Sequence, residues 1–307
     1  MISLAMPTYN GEKYLRAQLD SIYAQTLVPD EIIVVDDCST DGTPAILKEY
    51  HDKYGLKYFI NETNLGYNKN FEKAISLCSG DYIALSDQDD VWFKDKIRVS
   101  YEAIKRFPVE EPSLVSSFVE QVDSELKPTR KDVGAMQEGD WRLNITRYNA
   151  QGCTLMMNRA LLKYVLPFPA DIIYDAYIGL TASMVGNRYY IPQKLMYYRL
   201  HGDNSLANEK PKAQFALSTR LYQLKAYMPF WYAKDQCFFL KNLKKYQKKN
   251  FRPERVATLE KVIKIFEENK LKRLFLYLSL DGPNAYQKIR TSIGLILKML
   301  FFIKDEY

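Results

Sequence analysis

Short apolar runs alternate with helical patterns along residues 1–100 of the chain. The runs Ile2–Met6, Glu31–Val35 and Tyr82–Leu85 have the length and composition of buried strands. Between them, apolar side chains recur at helical spacing on two faces, formed by Leu15, Leu19 and Ile22 and by Phe71, Ile75 and Cys78. Strands that alternate with helices predict an α/β fold built on a doubly wound, mostly parallel sheet.

Acidic side chains follow two of these predicted strands. Asp36 and Asp37 end the second strand, and three carboxylates crowd into the segment Asp87–Asp90 after the third. The carboxyl ends of parallel strands meet at one edge of a sheet, where ligands bind in open α/β folds. A divalent cation such as Mg²⁺ or Mn²⁺, bound together with substrate phosphates, would neutralise such a cluster. The alternative is an acidic turn that caps a helix beginning near Lys94.

Four ordered motifs carry a resemblance to a known family. The combination of Pro7-Thr8-Tyr9-Asn10, Val35-Asp36-Asp37-Cys38-Ser39-Thr40-Asp41-Gly42-Thr43, Gly80-Asp81-Tyr82-Ile83 and Asp87-Gln88-Asp89-Asp90-Val91-Trp92 resembles family 2 glycosyltransferases of the GT-A fold. The last motif is most similar to that of bacterial rhamnosyltransferases of cell-wall and surface polysaccharide synthesis, although enzymes that use other sugars share it. The resemblance implies a Rossmann-like, mostly parallel sheet flanked by helices, with a catalytic domain over residues 1–205.

The resemblance also implies a nucleotide site at the ends of the first two strands. Asp37 would accept a hydrogen bond from the pyrimidine N3–H of the donor base. The cleft would be lined by Pro7, Thr8 and Tyr9, and Asp87 would face the ribose or the metal. Asp36 and Asp41 have an alternative as turn and cap residues, so Asp36 ranks below Asp37 as a binding residue.

A metal site is implied beside the nucleotide. Asp89 would ligate the Mg²⁺ or Mn²⁺ that bridges the diphosphate, with Asp87 as a second ligand. His201, in Tyr198-Arg199-Leu200-His201-Gly202, matches a late family element near the diphosphate and sometimes the metal; a surface-loop histidine is its alternative. The cation is needed because the leaving nucleotide diphosphate develops charge, which a Lewis acid stabilises.

The general base is expected at Asp175. The family usually has Glu-Asp or His-Asp where this chain has Tyr174-Asp175, so the aspartate keeps its implied role while its neighbour departs from the pattern. An inverting transfer needs one carboxylate that deprotonates the acceptor hydroxyl, whereas the alternative is a helix N-cap. Further residues expected at the donor and acceptor pocket are Gly152, Cys153, Trp92, Tyr174 and Arg199.

Several of these pocket residues have alternatives. Gly152 would let backbone amides approach the donor sugar or the acceptor, which a side chain would obstruct. Trp92 would stack on a sugar or fill a hydrophobic gap. Cys153 is better interpreted as a small packed residue than as a nucleophile, because no basic partner is evident in the sequence.

Charge divides the chain into two unlike parts. Residues 1–204 carry 22 Lys and Arg against 28 Asp and Glu, whereas residues 205–307 carry 21 against 9, a net charge of +12. Residues 206–307 therefore form an expected helical, basic and apolar appendage that attaches to an anionic membrane or forms a homodimer. Its last apolar run, Ile293–Ile303, is too short to span a bilayer. No nucleic-acid-binding module accompanies the charge, so nucleic acid is not an expected partner.

The expected location is the cytoplasm, peripheral at the inner face of the cell membrane. Four scattered cysteines form neither metal-binding pairs nor a dense framework, which favours a reducing compartment. The first strand begins at residue 2, which leaves no room for a signal peptide in this sequence.

These observations predict a metal-dependent, inverting hexosyltransferase. The expected donor is dTDP-L-rhamnose and the expected acceptor a lipid-linked bacterial polysaccharide; UDP-galactose, UDP-glucose or another UDP-sugar is the alternative donor. A non-catalytic carbohydrate-binding or assembly partner of the same fold remains a rival function. A dinucleotide oxidoreductase would need Gly-x-Gly-x-x-Gly after the first strand, and this chain has Pro7-Thr8-Tyr9-Asn10-Gly11 there.

Overall fold

A computed structural model describes residues 1–129, 151–201, 240–246 and 248–267 of the chain. These residues fall into two compact units. The first contains residues 1–129 and 151–201, and the second contains residues 240–246 and 248–267. The predicted domain boundary at residue 205 lies outside the described residues, so it stays a prediction.

The first half of the first unit is a parallel βα arrangement. Strands β1, β2, β3 and β4 pair in the order β3-β2-β1-β4, and every pair among them is parallel. The bounds are β1 Ile2–Thr8, α1 Leu15–Tyr23, β2 Glu31–Asp36, α2 Thr43–Tyr54, β3 Lys57–Ile60, α3 Tyr67–Leu77 and β4 Tyr82–Leu85.

The second half adds antiparallel pairs to the same sheet. Its elements are β5 Val91–Trp92, α4 Lys96–Ile104, β6 Ser113–Val122, β7 Leu155–Asn158, α5 Arg159–Val165, α6 Tyr174–Val185 and β8 Asn187–Arg199. The full strand order is β3-β2-β1-β4-β7-β6-β8-β5. Pairs β4·β7, β6·β7 and β5·β8 are antiparallel, while β6·β8 is parallel. The sheet is therefore mixed, and four of the seven pairs among the described strands are parallel, in agreement with the predicted mostly parallel sheet.

The apolar pattern of the sequence corresponds to the core. The central strand β1 is buried from Ile2 to Met6, as expected for a strand covered on both faces. Leu15, Leu19 and Ile22 of α1 are fully buried, and Phe71, Ile75 and Cys78 are at most 4% exposed. Removing these apolar side chains from water supplies most of the driving force for packing the helices on the sheet. Both predicted helical faces are confirmed.

Three strand ends set the position of the candidate site. Because β1, β2 and β4 run parallel and adjacent, the loops that follow them leave the sheet at the same edge. The three strand ends and the turns that follow them contain residues 7–11, 36–43 and 86–90. The helix predicted near Lys94 begins at Lys96, so the acidic segment is separated from it by the short strand β5.

The described part of the second unit is helical, as predicted. Residues 240–246 are helical, a 3₁₀ turn spans Lys248–Asn250, and a longer helix runs over Pro253–Glu267. Two lysines form ion pairs with acids of that helix, Lys241 with Glu267 and Lys244 with Glu260. The apolar stretch Ile293–Ile303 lies outside the described residues. Across the described ranges, none of the helices is both long and apolar enough to cross a membrane.

Candidate active site

The three loops at the carboxyl edge are fastened to one another by side chains. Gln88 binds the backbone of Tyr9 twice, because its Oε1 accepts from Tyr9 N at 2.8 Å and its Nε2 donates to Tyr9 O at 2.9 Å. Asn10 accepts from the amide of Thr40 through Oδ1 at 2.9 Å. Tyr9 itself is 49% exposed at this edge. An exposed aromatic ring on a braced loop is available for stacking on a planar ligand.

Asp36 and Asp41 support the loop after β2. Asp36 is fully buried, and its Oδ1 accepts from the hydroxyls of Thr8 at 2.8 Å and Ser39 at 2.6 Å. Asp41 accepts from the amides of Thr43 and Glu12, each at 3.0 Å. These contacts agree with the turn and cap alternative for both acids. Thr8 is 2% exposed, and its hydroxyl is engaged in the hydrogen bond to Asp36.

Asp37 is buried, and its carboxylate is held by the loop between β3 and α3. Its Oδ1 accepts from Asn61 Nδ2 and from Leu65 N, both at 2.8 Å. Its Oδ2 accepts from Gly66 N at 2.9 Å. The side chain is 3% exposed, so these three donors replace water around a buried carboxylate.

The acidic segment after β4 forms a cluster with Cys153. One potential ligand atom from each of Asp87, Asp90 and Cys153 lies within 4.8 Å of the other two. Burial, with the negative charges of Asp89 and Asp175, raises the pKa of Asp87 to about 7. Burial and the charges of Asp87 and Asp89 raise the pKa of Asp90 well above its usual range. The Oδ2 atom of Asp90 is buried without a hydrogen-bond partner in the described part of the chain.

A buried lysine lies beside this cluster. Lys96, the first residue of α4, is 3% exposed. Burial lowers the pKa of its ammonium to about 8, although the negative charges of Asp90 and Asp87 act to raise it. Its Nζ lies 4.7 Å from the ring centroid of Trp92. The same surroundings raise the pKa of Cys153, first through burial and then through the two aspartates. The packed interpretation of Cys153 agrees with its complete burial, but a basic group does lie near it, contrary to the expectation from sequence.

Asp89 and His201 contact each other across the site. The distance from His201 Nε2 to Asp89 Oδ2 is 2.8 Å, and the two side chains are 10% and 16% exposed. Arg199 donates through Nε to the carbonyl of Asp89 at 2.7 Å, and its amide donates to Asp90 Oδ1 at 3.1 Å. The end of β8 therefore holds the loop after β4 in place. Within the described ranges, Asp87, Asp89 and His201 do not form a compact group of three ligand atoms.

Asp175 lies in the first turn of α6 and is 8% exposed. Its Oδ2 accepts from Gly152 N at 3.2 Å, and its Oδ1 accepts from Ala176 N at 2.8 Å. Tyr174 is buried and stacks on Phe71 with ring centroids 3.9 Å apart. The charge of Asp175 contributes to the raised pKa of Asp87, so the two carboxylates share one electrostatic environment.

The site residues expected from sequence fall into two neighbouring groups. Pro7, Thr8, Tyr9 and Asp37 line the ends of β1 and β2. The remainder lie after β4 and in β5, in the 3₁₀ turn before β7, at the start of α6 and at the end of β8. Trp92 is 3% exposed, which favours the packing alternative over sugar stacking. Lys96 and Asp90 were not assigned from sequence. Asp90 stood inside a recognised motif, whereas nothing in the sequence marked Lys96.

A sequence profile decides the family. The profile of Glycosyl transferase family 2 matches residues 3–165, which is more than half of the chain. The chain belongs to glycosyl transferase family 2. The matched range contains Asp37, Asp87 and Asp89 but ends before Asp175 and His201. For this family 2 member, the interpretation of the last two residues therefore depends on their geometry and on the resemblance of their local motifs.

Curated relatives match the chain over different lengths. The dTDP-rhamnosyl transferase RfbG of Shigella flexneri is 40% identical over 106 residues, which are 32% of this chain and 36% of that protein. An uncharacterized glycosyltransferase of Rickettsia typhi is 28% identical over 254 residues, 80% of this chain and 73% of its own. An uncharacterized Mycobacterium tuberculosis protein is 39% identical over 102 residues, 32% of this chain and 29% of its own. The chain thus spans about a third of the length of several relatives that it matches.

Solved structures share the fold of this family 2 chain. Residues 1–349 of S. aureus TarS in complex with UDP-GlcNAc give a TM-score of 0.58 at 18% identity, covering 98% of this chain and 92% of that one. The mannosyltransferase PcManGT from Pyrobaculum calidifontis, in complex with GDP-Man and Mn²⁺, gives 0.52 at 16% identity, covering 99% and 88%. At these identities the likeness supports the predicted GT-A fold class and nothing finer.

Proposed function

We propose that the chain transfers a sugar from a nucleotide diphosphate donor to an acceptor hydroxyl, with inversion at the anomeric carbon and dependence on Mg²⁺ or Mn²⁺. The observation that supports this proposal is that Asp87 shares one electrostatic environment with Asp89 and Asp175, while Asp89 contacts His201. These residues follow the sheet edge at which β1 and β2 lead into Tyr9 and Asp37. Nucleotide, diphosphate and acceptor would then occupy neighbouring parts of one cleft.

The residues present fit a divalent cation. Asp89 and His201 are in contact, and burial together with the nearby charge of Asp89 raises the pKa of Asp87. The carboxylates are crowded, the pKa of Asp90 is raised, and one oxygen of buried Asp90 has no hydrogen-bond partner in the described part of the chain. Such features are typical of a site whose negative charge is neutralised by a bound cation. Carboxylate oxygens and an imidazole nitrogen suit Mn²⁺, and carboxylates suit Mg²⁺. When bound by Asp87, Asp89 and His201, the cation would stabilise negative charge on the leaving diphosphate.

The remaining roles fall to residues of the chain. Asp175 would accept the proton of the acceptor hydroxyl as that oxygen attacks the sugar from the face opposite the leaving group. The amides of Gly152 and Ala176 donate to its two oxygens and thereby fix the orientation of the carboxylate. Tyr9 would stack on the nucleobase, and Asp37 would accept from the base.

The proposed donor is dTDP-L-rhamnose, with UDP-galactose, UDP-glucose or another UDP-sugar as the alternative. The identity of 40% to a dTDP-rhamnosyl transferase over 106 residues supports rhamnose. The segment 130–150 lies outside the described residues. One hydroxyl can decide which sugar is accepted, because a sugar that lacks it leaves polar groups of the pocket unpaired. The donor therefore needs a direct test.

The proposed acceptor is a lipid-linked polysaccharide reached at an anionic membrane. The net charge of +12 over residues 205–307 supports this, because each Lys or Arg near an anionic surface contributes about 1 kcal/mol. Binding of the full chain to phosphatidylserine vesicles at low salt, reversed by high salt, is the expected result. Homodimerisation without vesicle binding would favour the alternative role for this region.

A nucleotide-release screen tests the proposed reaction. Purified full-length chain would be incubated with dTDP-rhamnose and a panel of UDP-sugars, with Mn²⁺ or with EDTA, and the free nucleotide diphosphate measured. We expect release that requires metal and is fastest with dTDP-rhamnose. Release that persists unchanged in EDTA would contradict the metal dependence, and the absence of release and of transfer with every donor and a polysaccharide acceptor extract would contradict the catalytic function.

A further inference from the structure

Tyr14 is a partly buried aromatic residue to which the proposed reaction gives no role. It directly precedes α1, and its backbone amide donates to the carbonyl of Gly11 at 3.0 Å. The amide of Gln18 donates in turn to the carbonyl of Tyr14 at 3.2 Å. The ring is therefore attached to the first turn of a helix, which holds a side chain more precisely than a loop does.

Two side chains at the end of β8 and just beyond it lie against the Tyr14 ring. The ring centroid is 4.5 Å from the guanidinium carbon of Arg199 and 4.7 Å from the ring centroid of His201. An aromatic ring attracts a guanidinium at this distance, and a tilted pair of rings at this separation is also favourable. Tyr14 therefore connects the start of α1 with the end of β8.

Both of these neighbours of Tyr14 bind Asp89, the proposed metal ligand. Arg199 donates through Nε to the carbonyl of Asp89 at 2.7 Å, and His201 Nε2 lies 2.8 Å from Asp89 Oδ2. The guanidinium of Arg199 also donates to the carbonyl of Ser124 at 2.6 Å. The Tyr14 ring thus contacts one side chain that holds the backbone of Asp89 and one that contacts its carboxylate.

The hydroxyl of Tyr14 does not account for this arrangement. It is buried and has no hydrogen-bond partner among the residues that the structure describes. Burying an unpaired hydroxyl costs free energy, so Tyr14 contributes at this place through its ring and not through its oxygen. A phenylalanine would supply the same aromatic surface to His201.

We infer that Tyr14 is a positioning residue whose ring holds the imidazole of His201 in contact with Asp89, so that the pair is oriented for the cation. This inference rests on the proposed function, in which Asp89 and His201 bind Mg²⁺ or Mn²⁺. A ligand that is already oriented loses less conformational freedom when the metal binds. Removing a residue that orients a metal ligand commonly lowers metal affinity by about tenfold or more. Tyr14 acts on the metal through His201.

Titration of Mn²⁺ into the metal-free full chain tests the inference. Tyr14→Leu removes the ring, and we expect the dissociation constant for Mn²⁺ to rise by about tenfold. Tyr14→Phe keeps the ring, so its dissociation constant should stay within about twofold of the wild type. Tyr23→Leu is the matched control, because Tyr23 ends α1 and stacks on Tyr54 with ring centroids 4.2 Å apart. Its Mn²⁺ affinity should equal that of the wild type.

A double-mutant cycle separates positioning from general damage to the fold. His201→Ala should weaken Mn²⁺ binding by itself. Adding Tyr14→Leu to His201→Ala should then change the dissociation constant by less than about twofold, because the residue through which Tyr14 acts is already gone. A ring that only stabilised the fold would lower the affinity by the same factor with or without His201.

The outcomes distinguish the inference from the proposed function. If His201→Ala weakens Mn²⁺ binding but Tyr14→Leu does not, or if the effect of Tyr14→Leu persists without His201, the inference is wrong while the metal site stands. A loss in Tyr14→Phe as large as in Tyr14→Leu would assign the effect to the hydroxyl and also overturn the inference. If the wild type binds no Mn²⁺, or if His201→Ala binds it as tightly as the wild type, the proposed metal site fails and the inference fails with it.

A second variant covers the case in which Tyr14→Leu unfolds, as judged by circular dichroism. Tyr14→Met fills the space with a long, flexible side chain that has no aromatic ring. We expect the same rise of about tenfold in the dissociation constant for Mn²⁺, and a wild-type value would overturn the inference.

Discussion

The hydroxyl of Tyr174 occupies the space beside Gly152 that a side chain at position 152 would need. A Cβ built on this glycine would overlap the Tyr174 hydroxyl and come within 2.5 Å of its Cζ. The amide of the same glycine donates to Asp175, the proposed base. The tyrosine that departs from the usual family pattern thus has a structural role, because its ring fills the space next to Gly152 and requires a residue without a side chain there.

Gly152→Ala should therefore destabilise the first unit and slow transfer. We expect a loss of about 1–3 kcal/mol in the free energy of unfolding, because overpacking a buried contact forces neighbouring side chains or backbone to move. The added methyl group would also push the amide of Gly152 away from Asp175. Denaturant unfolding and turnover with saturating donor measure the two effects.

A double variant provides the control for this prediction. Gly152→Ala combined with Tyr174→Leu removes the ring that the methyl group meets, so part of the lost stability should return. If Gly152→Ala alone is as stable and active as the wild type, the loop tolerates the side chain and the close approach has no functional consequence.

Asp175→Asn should abolish turnover but preserve donor binding. The amide keeps the size of the carboxylate while losing the ability to take a proton from the acceptor hydroxyl. Turnover should fall by about 10²-fold or more, with the dissociation constant of the nucleotide sugar within about threefold of the wild type. Asp171→Asn, an exposed acid shortly before α6, is the matched control. A large loss of nucleotide affinity in Asp175→Asn would instead assign this residue to the donor site.

Asp89→Asn should weaken metal binding and abolish metal-dependent transfer. The substitution removes a charge that faces His201 and that helps raise the pKa of Asp87. Titration of Mn²⁺ into the apoprotein, followed by turnover at limiting Mn²⁺, measures both effects. Asp95→Asn changes a nearby exposed acid that pairs with Arg98 and should behave as the wild type. Normal turnover of Asp89→Asn at limiting Mn²⁺ would exclude Asp89 as a ligand.

The sequence was sufficient for the fold where burial imposed a simple pattern. Strands β1, β2 and β4 are apolar runs followed by loop signals, and α1 and α3 present regular apolar faces, so each was predicted. Strand β3, Lys57–Ile60, was not predicted because it lies at the sheet edge with three of its four side chains exposed, which leaves no alternation to detect. The antiparallel pairing of β7 depends on its long-range neighbours and not on its own composition.

The candidate site was predictable where acids follow strands, and less so where partners come from distant segments. Asp87, Asp89 and Asp37 could be expected at one edge from strand order alone. The contact between His201 and Asp89 spans 112 positions, and the Asn61–Asp37 hydrogen bond depends on the loop after β3. Lys96 is a surface-type residue in sequence, and only packing against Trp92 and the acids shows it to be buried.

Glu31 makes the stability of the first unit depend on pH. This first residue of β2 accepts hydrogen bonds from the hydroxyl of Ser3 and from the amide and hydroxyl of Ser79, and it pairs with Lys57. Burial alone would raise the pKa of Glu31, but these donors outweigh it and lower the pKa from 4.5 to about 2. A carboxylate whose folded-state pKa is depressed stabilises the fold above its unfolded pKa, and that stabilisation is lost as the pH falls through the folded value.

Glu31→Gln should therefore lower the free energy of unfolding at pH 7 by about 2–3 kcal/mol. The shift in pKa converts to about 3.5 kcal/mol at about 1.4 kcal/mol per unit, and solvent screening reduces that value. The difference from the wild type should persist down to about pH 4.5 and shrink steadily toward pH 2, because both proteins then carry a neutral group at this position. Denaturant melts between pH 2 and pH 7 measure it. Glu49→Gln alters an exposed pair with Arg16, and exposed pairs contribute little, so its curve should follow the wild type. A Glu31→Gln deficit that stays constant across this range would mean that the lost contacts stabilise through packing and not through the charge.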